Sequence, residues 1–388
     1  MKVGIYIGNT DPEIGGGSTL LRTIQNELKE LNECNYEFCF IFSGGRNGVR
    51  VKDVDGQKYY NIDRAINNVQ RLKQKIFDVV NCKKSYKYYR WDAFAKEYGV
   101  DIFWLTSPGK VDISYPFIYT VWDLGHRTVP YFPEVSRNGQ WEIRESNYSV
   151  MIPKATFVVT GNETGKKEIL DNYKVSPSKI KIAPFPVSSF CYGKEIKPDF
   201  DVPAQYFFYP AQFWAHKNHI CIVEAVRLLK YRDEFNPKVF FTGADKGNKK
   251  YILSKIKEYG LEENIIITGF LKEEELKYIY THATAMIFAS LMGPNNLPPI
   301  EATFLNCPVI ITDLDGHIEQ LGDSALYFNG YNADELAKKM TIVLTDTIIR
   351  DNLKQRQVKQ KECLEKIRYT TSIIKWLDEF QDVRSRWA

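Results

Sequence analysis

The sequence lacks the features that mark membrane-spanning, disulfide-bonded and zinc-binding proteins. No run of about 18 apolar residues occurs in the 388-residue chain, so no transmembrane helix is expected. The seven cysteines are scattered, odd in number and without a C-x-x-C pair, which favours reduced thiols in a cytoplasmic protein. The five histidines do not pair with them at ligand spacing, and Gly8 and Asp11 interrupt the N-terminus before any signal-peptide core.

A strong excess of charge of either sign is also missing. The formal net charge is +4, from 52 basic and 48 acidic residues. A dedicated nucleic-acid-binding protein usually carries a larger basic excess, so no nucleic-acid partner is expected. Hydrophobic residues make up 44% of the chain and charged residues 26%, which is typical of a globular protein long enough for two domains.

Short apolar runs alternate with amphipathic segments along the chain. Strands are predicted at residues 2–8, 36–43, 101–107, 117–123, 155–161, 179–185, 206–212, 238–243, 264–270, 284–290, 308–312 and 325–328. Helices are predicted at residues 18–31, 217–231, 249–259, 273–282, 298–305 and 371–380. This alternation predicts an α/β fold of two Rossmann-like, doubly wound domains whose parallel sheets face each other across a cleft.

The domain boundaries follow from one aperiodic stretch. Residues 188–205 contain a glycine, two prolines and mixed charges, so they are predicted to link a first domain of residues 1–187 to a second of residues 206–370. Residues 371–388 are predicted to form a C-terminal helix with one apolar face.

The stretch ASLMGPNNLPPIEATFLNCPVI, residues 289–310, places polar residues at a strand-to-helix turn. Asn295, Asn296 and Leu297 precede a helix whose first turn contains two prolines. Free N–H groups and the helix dipole there favour an anion, and Glu301 one turn later suits a vicinal diol such as ribose. The alternative is an ordinary capped helix with a solvent-facing Glu301.

From residue 297, LPPIEATFLNCPVIITDLDGHIEQLGDSALYFNGYNADELAKKM strongly resembles the carboxyl half of retaining glycosyltransferases of family 4, which have the GT-B fold. The resemblance implies that Glu301 is the second carboxylate of the E-x7-E motif and holds the ribose of a nucleotide sugar. The first carboxylate is replaced by Gly293. Asn295 and Asn296 become the candidates for sugar contact, with the amides of Asn296 and Leu297 reaching sugar hydroxyls or phosphate. The C-terminal helix is expected to pack back across the interdomain junction.

Two further stretches resemble the donor-binding parts of the same family. In YPAQFWAHKN, residues 209–218, Lys217 matches the lysine that neutralises the donor diphosphate, and Gln212 replaces the usual arginine. Gly16 and Gly17 match the loop of the first domain that faces the donor. The G-x-G-x-x-G fingerprint is not met there, so an NAD site is disfavoured.

The resemblance also implies contacts with the sugar and the base. In TVWDLGH, residues 120–126, Trp122 stands where the family has a histidine near the reacting sugar. Asp123 and His126 are therefore the catalytic candidates beside Lys217, although His126 is equally interpretable as a polar loop residue. Phe270 and Gly243 are expected to border the base pocket, while core packing is the alternative for Phe270.

Metal ions and other cofactors are not expected beyond the donor substrate. Three D-x-D triplets occur, at residues 53–55, 199–201 and 313–315, but such triplets are frequent by chance. Lys217 and a helix N-terminus suffice for a diphosphate.

Residues 71–96 hold eight basic and two acidic residues, with Tyr86, Tyr88, Tyr89, Trp91 and Phe94 interleaved. A solvated helical face explains this pattern, and the alternative is a patch for a membrane surface or a lipid diphosphate. The expected location is therefore the cytoplasm, and the alternative pattern adds peripheral contact with the inner face of a membrane.

The sequence thus predicts a retaining, metal-independent hexosyltransferase that uses a nucleotide-diphosphate sugar. The acceptor is expected to be a glycan or lipid-linked saccharide in surface polysaccharide assembly of the bacterial type. Two alternatives remain: a non-catalytic subunit that binds nucleotide sugars, and a nucleotide-sugar 2-epimerase.

Overall fold

The computed structural model describes residues 1–8, 16–30, 35–43, 51–54, 57–64, 72, 76, 79–80, 86–366 and 369–386. Within these ranges the chain forms two β-sheets, one in each half, with helices between successive strands. The predicted α/β fold with two Rossmann-like domains is confirmed.

The first sheet has eight strands in the order β3-β4-β2-β1-β5-β6-β7-β8. Their bounds are β1 Lys2–Tyr6, β2 Glu37–Phe42, β3 Val51–Val54, β4 Gln57–Asn61, β5 Ile102–Leu105, β6 Phe117–Thr120, β7 Phe157–Thr160 and β8 Ile180–Ile182. The helices of this half are α1 Gly16–Glu30, α2 Tyr86–Tyr98, α3 Gly125–Thr128, α4 Pro133–Ser136, α5 Gln140–Lys154 and α6 Glu163–Asn172. Strands β5 and β6 are fully buried, as their unbroken apolar sequences require in a sheet covered on both faces.

The sequence pattern did not predict the antiparallel pair of strands at the edge of this sheet. Strands β3 and β4 pair antiparallel, whereas the other pairs described in the sheet are parallel. Lys52, Asp53, Gln57 and Lys58 give the pair a polar sequence, which suits an edge strand but hides the apolar pattern of a buried one.

The second sheet has six parallel strands in the order β11-β10-β9-β12-β13-β14. Their bounds are β9 Phe207–Pro210, β10 Val239–Thr242, β11 Ile265–Gly269, β12 Ala285–Phe288, β13 Val309–Thr312 and β14 Ala325–Phe328. The helices are α7 His219–Tyr231, α8 Lys249–Glu258, α9 Glu273–His282, α10 Leu297–Phe304, α11 Asp315–Leu321, α12 Ala333–Thr345, α13 Thr347–Lys366 and α14 Tyr369–Arg384. The strand order reverses between β9 and β12, and a doubly wound sheet binds its ligand at the carboxyl ends of such a pair.

The chain passes between the two cores at two places. Phe185 belongs to the apolar core of the first domain and Val187 to that of the second, so the first passage lies between them. The predicted linker, residues 188–205, packs against the second core through Phe190 and Cys191. It is therefore part of the second domain, because its aperiodic sequence still contains buried apolar residues.

The second passage lies between α13 and α14. Leu364 packs against the second core, while Tyr369 is fully buried in the first, with its ring centroid 5.9 Å from that of Trp104. Helix α14 stays on the first domain through Lys181, whose Nζ donates to Glu379 Oε2 at 2.6 Å. The last helix thus contacts the first sheet, although it follows the second in sequence.

Candidate functional site

The turn from residue 290 to 296 joins β12 to α10 at the carboxyl end of the second sheet. Gly293 has φ 106°, a backbone conformation that side-chain-bearing residues rarely adopt. Ser290 Oγ donates to Met292 O at 2.9 Å, and Leu291 N–H donates to His216 O at 2.9 Å. These bonds hold the turn against the segment that follows β9, so the turn and Lys217 share one site.

Asn296 is the polar centre of this turn. Its Nδ2 lies 2.9 Å from His317 Nε2, and its Oδ1 accepts from Lys217 Nζ at 3.1 Å. His317 Nδ1 lies 3.1 Å from Thr312 O, which only accepts, so Nδ1 carries the proton and Nε2 is the acceptor. The histidine therefore sets the orientation of the amide: nitrogen toward His317, oxygen toward Lys217.

Lys217 presents a cation that no carboxylate of the described residues neutralises directly. Its Nζ donates to Asn296 Oδ1, lies 3.4 Å from Ser290 Oγ and lies 4.8 Å from the centroid of the Phe288 ring. No ion pair to Lys217 forms within the described part of the chain. Burial lowers the pKa of the ammonium to about 8, and the charges of Asp123 and Glu134 oppose the shift. An anion bound here would restore the lysine's proton affinity.

Asp123 approaches this site from the first domain. Its Oδ1 accepts from Arg144 Nη1 at 2.8 Å and from Gly125 N–H at 2.8 Å. Burial alone would raise the pKa of this carboxyl, but the charge and hydrogen bonds of Arg144 outweigh it and hold the pKa below its usual value. A Cβ on Gly125 would lie 2.3 Å from Met292 Sδ, so this loop packs directly on the turn after β12.

A second contact across the cleft joins Glu134 to His216. Glu134 Oε1 accepts from His216 N–H at 2.8 Å and from His216 Nδ1. Burial lowers the pKa of the imidazole. Burial opposes ionisation of Glu134, but hydrogen bonds, chiefly from His216, hold its pKa below the usual value. A neutral histidine therefore donates to a charged carboxylate beside Lys217.

Further hydrogen bonds close the two domains on each other. Asn162 Nδ2 donates to Pro294 O at 2.6 Å. Glu319 accepts from the backbone N–H groups of Glu163 and Thr164 at 2.7 and 2.8 Å, where a carboxylate also suits the start of α6. A Cβ on Gly161 would lie 2.4 Å from Asn295 Nδ2, so any larger residue there would require the Asn295 side chain to shift.

Glu301 is buried rather than solvent-facing. Its Oε2 accepts from Tyr280 OH at 2.9 Å and its Oε1 accepts from Ser188 Oγ. Burial raises the pKa of the carboxyl, and the two hydroxyl donors oppose the shift. Each oxygen keeps a further lone pair, so the group retains capacity for a ligand hydroxyl. The solvated interpretation of Glu301 is wrong.

His126 lies inside the first domain. The side chain has no exposed surface, its ring stacks on Tyr148 at 5.3 Å, and its Nε2 lies 3.2 Å from both Glu145 Oε2 and Tyr173 OH. Burial lowers the pKa of the imidazole. These contacts are those of a structural histidine, so the structure does not support a sugar contact by this residue; the loop interpretation is also wrong, because His126 is part of α3.

The remaining candidates each come after the carboxyl end of a strand, Gly16 and Gly17 in the first sheet and Gln212 and Gly243 in the second. Gly16 and Gly17 form the start of α1, directly in the helix rather than in a loop before it. Gln212 follows β9, and its Oε1 accepts from Trp214 Nε1 at 3.0 Å. Gly243 follows β10 at φ 156°, and a Cβ there would lie 2.3 Å from Ala211 O.

Leu297 and Phe270 complete the set. Leu297 is the first residue of α10 and joins the apolar core of the first domain. Phe270 is 83% exposed after β11, so core packing does not explain it. Within the described ranges, no group of three or more His, Cys, Asp or Glu side chains is arranged to hold a metal ion.

Much of the basic, aromatic segment at residues 71–96 lies outside the described residues. Trp91 and Phe94, two of its aromatic residues, are buried in the core of the first domain and do not belong to a surface patch. Four apolar residues at helical spacing are exposed instead: Leu72 60%, Ile76 54%, Val79 78% and Val80 74%. Among the helices of the described residues, none combines the length and the apolar sequence that a membrane span requires.

Sequence reasoning missed three groups at the site. Arg144 and Glu134 lie in the stretch between two predicted strands, where no motif marks them. His317 lies in α11, within the stretch that carries the family resemblance. A histidine inside that stretch was the available signal.

Comparison with known proteins agrees with the resemblance to glycosyltransferases that the sequence of the second domain shows. The family model described as "Glycosyl transferases group 1" matches residues 195–360. The O-antigen chain mannosyltransferase RfbU of Salmonella typhimurium is 26% identical over 184 residues, 46% of this chain and 48% of that protein. The N-acetylgalactosamine-N,N'-diacetylbacillosaminyl-diphospho-undecaprenol 4-alpha-N-acetylgalactosaminyltransferase of Campylobacter jejuni is 23% identical over 232 residues, 59% and 62% of the two chains.

The chain therefore spans about half of the first relative's length and under two thirds of the second's. Among solved structures, sucrose-phosphate synthase from Thermosynechococcus elongatus superposes with a TM-score of 0.76 at 14% identity and covers 100% of both chains. That likeness concerns the fold, which is GT-B. The chain carries a glycosyl transferases group 1 domain at residues 195–360, within a GT-B fold of two Rossmann-like domains.

Proposed function

We propose that this protein is a retaining, metal-independent hexosyltransferase of family 4. It takes a hexose from a nucleotide-diphosphate sugar and adds it to a glycan or lipid-linked saccharide in surface polysaccharide assembly. Both curated relatives above are named for the transfer of a sugar to a bacterial polysaccharide or lipid-linked acceptor, which supports this substrate class.

The observation that carries the proposal is the Lys217 ammonium at the switch point of the second sheet. It is held by the neutral Asn296 and Ser290, so its charge is available to a diphosphate. The carboxyl ends of β9 and β12, which flank it, are where a doubly wound sheet binds nucleotides. Buried Glu301, one turn into α10, then accepts hydrogen bonds from the ribose.

The chemistry we propose uses the leaving group as the base. The bond between the sugar C1 and the diphosphate oxygen breaks while the acceptor oxygen bonds to C1 on the same face. The acceptor proton passes to the departing phosphate oxygen. Asp123 is not the nucleophile in this scheme, because Arg144 and Gly125 N–H occupy its carboxylate. Lys217 stabilises the charge that develops on the phosphate.

Peripheral membrane contact of the first domain is part of the proposal. The exposed apolar residues 72, 76, 79 and 80 lie in a segment rich in lysine and arginine, and this combination suits an anionic lipid surface. A lipid-linked acceptor would be reached from that surface. Vesicles containing anionic lipid should bind the protein at low salt. Binding to neutral vesicles but not to anionic ones would argue against this membrane contact.

A non-catalytic nucleotide-sugar-binding subunit is the second candidate. Gly293, Gln212 and Trp122 favour it, since the family places a carboxylate, an arginine and a histidine at these positions. The intact set of Lys217, Asn296 and Glu301 opposes it.

The deciding experiment combines binding with turnover. Thermal shifts with UDP, GDP, ADP and their hexose conjugates should identify one nucleotide that stabilises the wild type, with the effect lost in Lys217→Met. Transfer to a lipid-linked saccharide should then proceed in EDTA, with the donor's anomeric configuration kept. Binding without transfer to any acceptor would establish the subunit alternative, and a changed sugar without acceptor would indicate an epimerase.

A further inference from the structure

One carboxylate oxygen of Glu134 receives no hydrogen bond from any described residue. The side chain is 6% exposed and lies in the first turn of α4, on the first-domain side of the cleft. Oε1 receives both donors of His216, whereas Oε2 is buried and has no hydrogen-bond partner among the described residues. A buried carboxylate oxygen without a donor is unfavourable unless a ligand supplies one.

The negative charge of the Glu134 carboxylate makes the lack of a donor at Oε2 more unfavourable. Hydrogen bonds, chiefly from His216, outweigh burial and hold the pKa of Glu134 below its usual value, so the carboxylate is ionised at neutral pH. The Lys217 ammonium feels the charges of Glu134 and Asp123 but forms no ion pair with Glu134. Neither His216, which is neutral, nor Lys217 therefore satisfies Oε2.

The position of Glu134 points to the group attached to the diphosphate. It is hydrogen-bonded to His216, the residue immediately before Lys217. If Lys217 holds the diphosphate, a carboxylate anchored on its neighbour lies beside the sugar. Trp122 Nε1 and Asn295 Nδ2, two buried donors that find no acceptor among the described residues, also belong to segments that meet at this cleft. A polyhydroxylated ligand suits such a set, because each hydroxyl both donates and accepts.

We propose that Glu134 is a sugar-contacting residue whose Oε2 accepts a hydrogen bond from a hydroxyl group of the transferred sugar. The inference rests on the proposed function and adds a contact from the first domain to it. It also supplies a carboxylate to a site where the turn after β12 has Gly293. His216 acts as the anchor that aims this carboxylate.

Glu134→Gln tests the contact with one atom changed. The amide oxygen keeps the bonds from His216 N–H and Nδ1, while an NH2 group that donates replaces the free acceptor. We expect the affinity for the bare nucleoside diphosphate to change less than twofold. The affinity for the nucleotide sugar, measured by calorimetry, should fall about tenfold or more, as loss of a hydrogen bond to a charged group predicts.

A matched control is Glu195→Gln, which alters a carboxylate that also pairs with a histidine, His282, at 3.4 Å but on the exposed surface of the second domain. It should leave both affinities unchanged. Deoxy sugars identify the hydroxyl: the analogue lacking the bonded group should bind wild type and Glu134→Gln equally.

The outcomes separate the contact from the function. If the wild type binds no nucleoside diphosphate, the proposed function fails and this inference with it. If the wild type binds donor and Glu134→Gln binds the nucleotide sugar equally well, only the inference fails. A variant that binds donor normally but transfers slowly would place Glu134 at the acceptor and overturn the sugar contact.

Discussion

Replacing Lys217 by methionine should stabilise the unliganded protein while abolishing its response to nucleoside diphosphates. Burial brings the pKa of Lys217 from 10.5 down to about 8. At about 1.4 kcal/mol per pKa unit, the charged lysine destabilises the fold by about 3 kcal/mol. For a domain the size of the second one, that corresponds to a gain of about 6–12 °C in Tm.

The pH dependence gives this prediction its sign. The unfolded chain holds the lysine proton more tightly than the folded protein does. The penalty is therefore complete below about pH 8 and disappears as the pH rises from 8 toward 10.5. The difference in Tm between variant and wild type should be largest at pH 7 and shrink toward pH 10.

The assay is differential scanning calorimetry across this pH range, with and without the nucleotide that binds. Lys359→Met is the matched control, since Lys359 is an exposed lysine of the second domain and its replacement should leave Tm within about 1 °C. A Lys217→Met protein that melts below the wild type at pH 7 would refute the argument, because the ammonium would then be a stabilising group.

Three other substitutions test the site. Glu301→Gln should weaken binding of the ribonucleotide about tenfold and that of its 2′,3′-dideoxy analogue hardly at all, measured by calorimetry; equal losses would exclude the ribose contact. Gly161→Ala inserts a methyl group where Asn295 Nδ2 lies 2.4 Å away, so it should slow transfer and enlarge the radius of gyration in small-angle scattering while nucleotide binding persists; an unchanged rate would show that this contact is not needed. Arg144→Met leaves the Asp123 carboxylate without its counter-ion and should lower stability by about 3 kcal/mol at pH 7, with part recovered as Asp123 is protonated at lower pH; a loss independent of pH would indicate packing alone.

Periodicity was enough to predict the second sheet and the helix after β12. The strands there are unbroken apolar runs such as Ala285–Phe288 and Val309–Thr312, whose burial leaves no competing interpretation. The pair Val51–Val54 and Gln57–Asn61 escaped, because an edge strand has few apolar residues to place on a buried face. The first passage between the cores lies earlier in the chain than the predicted linker for a related reason. Phe190 packs in the second core, but no periodic pattern of apolar residues around it marks the segment as buried.

Motif resemblance singled out Lys217, Asn296 and Glu301 as candidates, but it could not name the residues that they contact. Glu134, Arg144 and Ser188 act through contacts with residues 21 to 113 positions away, and no local pattern encodes such a distance. His126 shows the converse. A histidine near a motif is conspicuous in sequence, yet its neighbours Glu145, Tyr148 and Tyr173 make it part of the first domain's interior.

The two passages of the chain between the cores have a mechanical consequence. One covalent connection leaves two rigid bodies free to rotate about any axis, whereas two connections define a line. Because the chain crosses at Phe185–Val187 and again between Leu364 and Tyr369, rotation about the line joining these points stretches neither connection. We therefore expect the cleft to open by a hinge rotation of one domain about this line, with the largest displacement at the residues farthest from it.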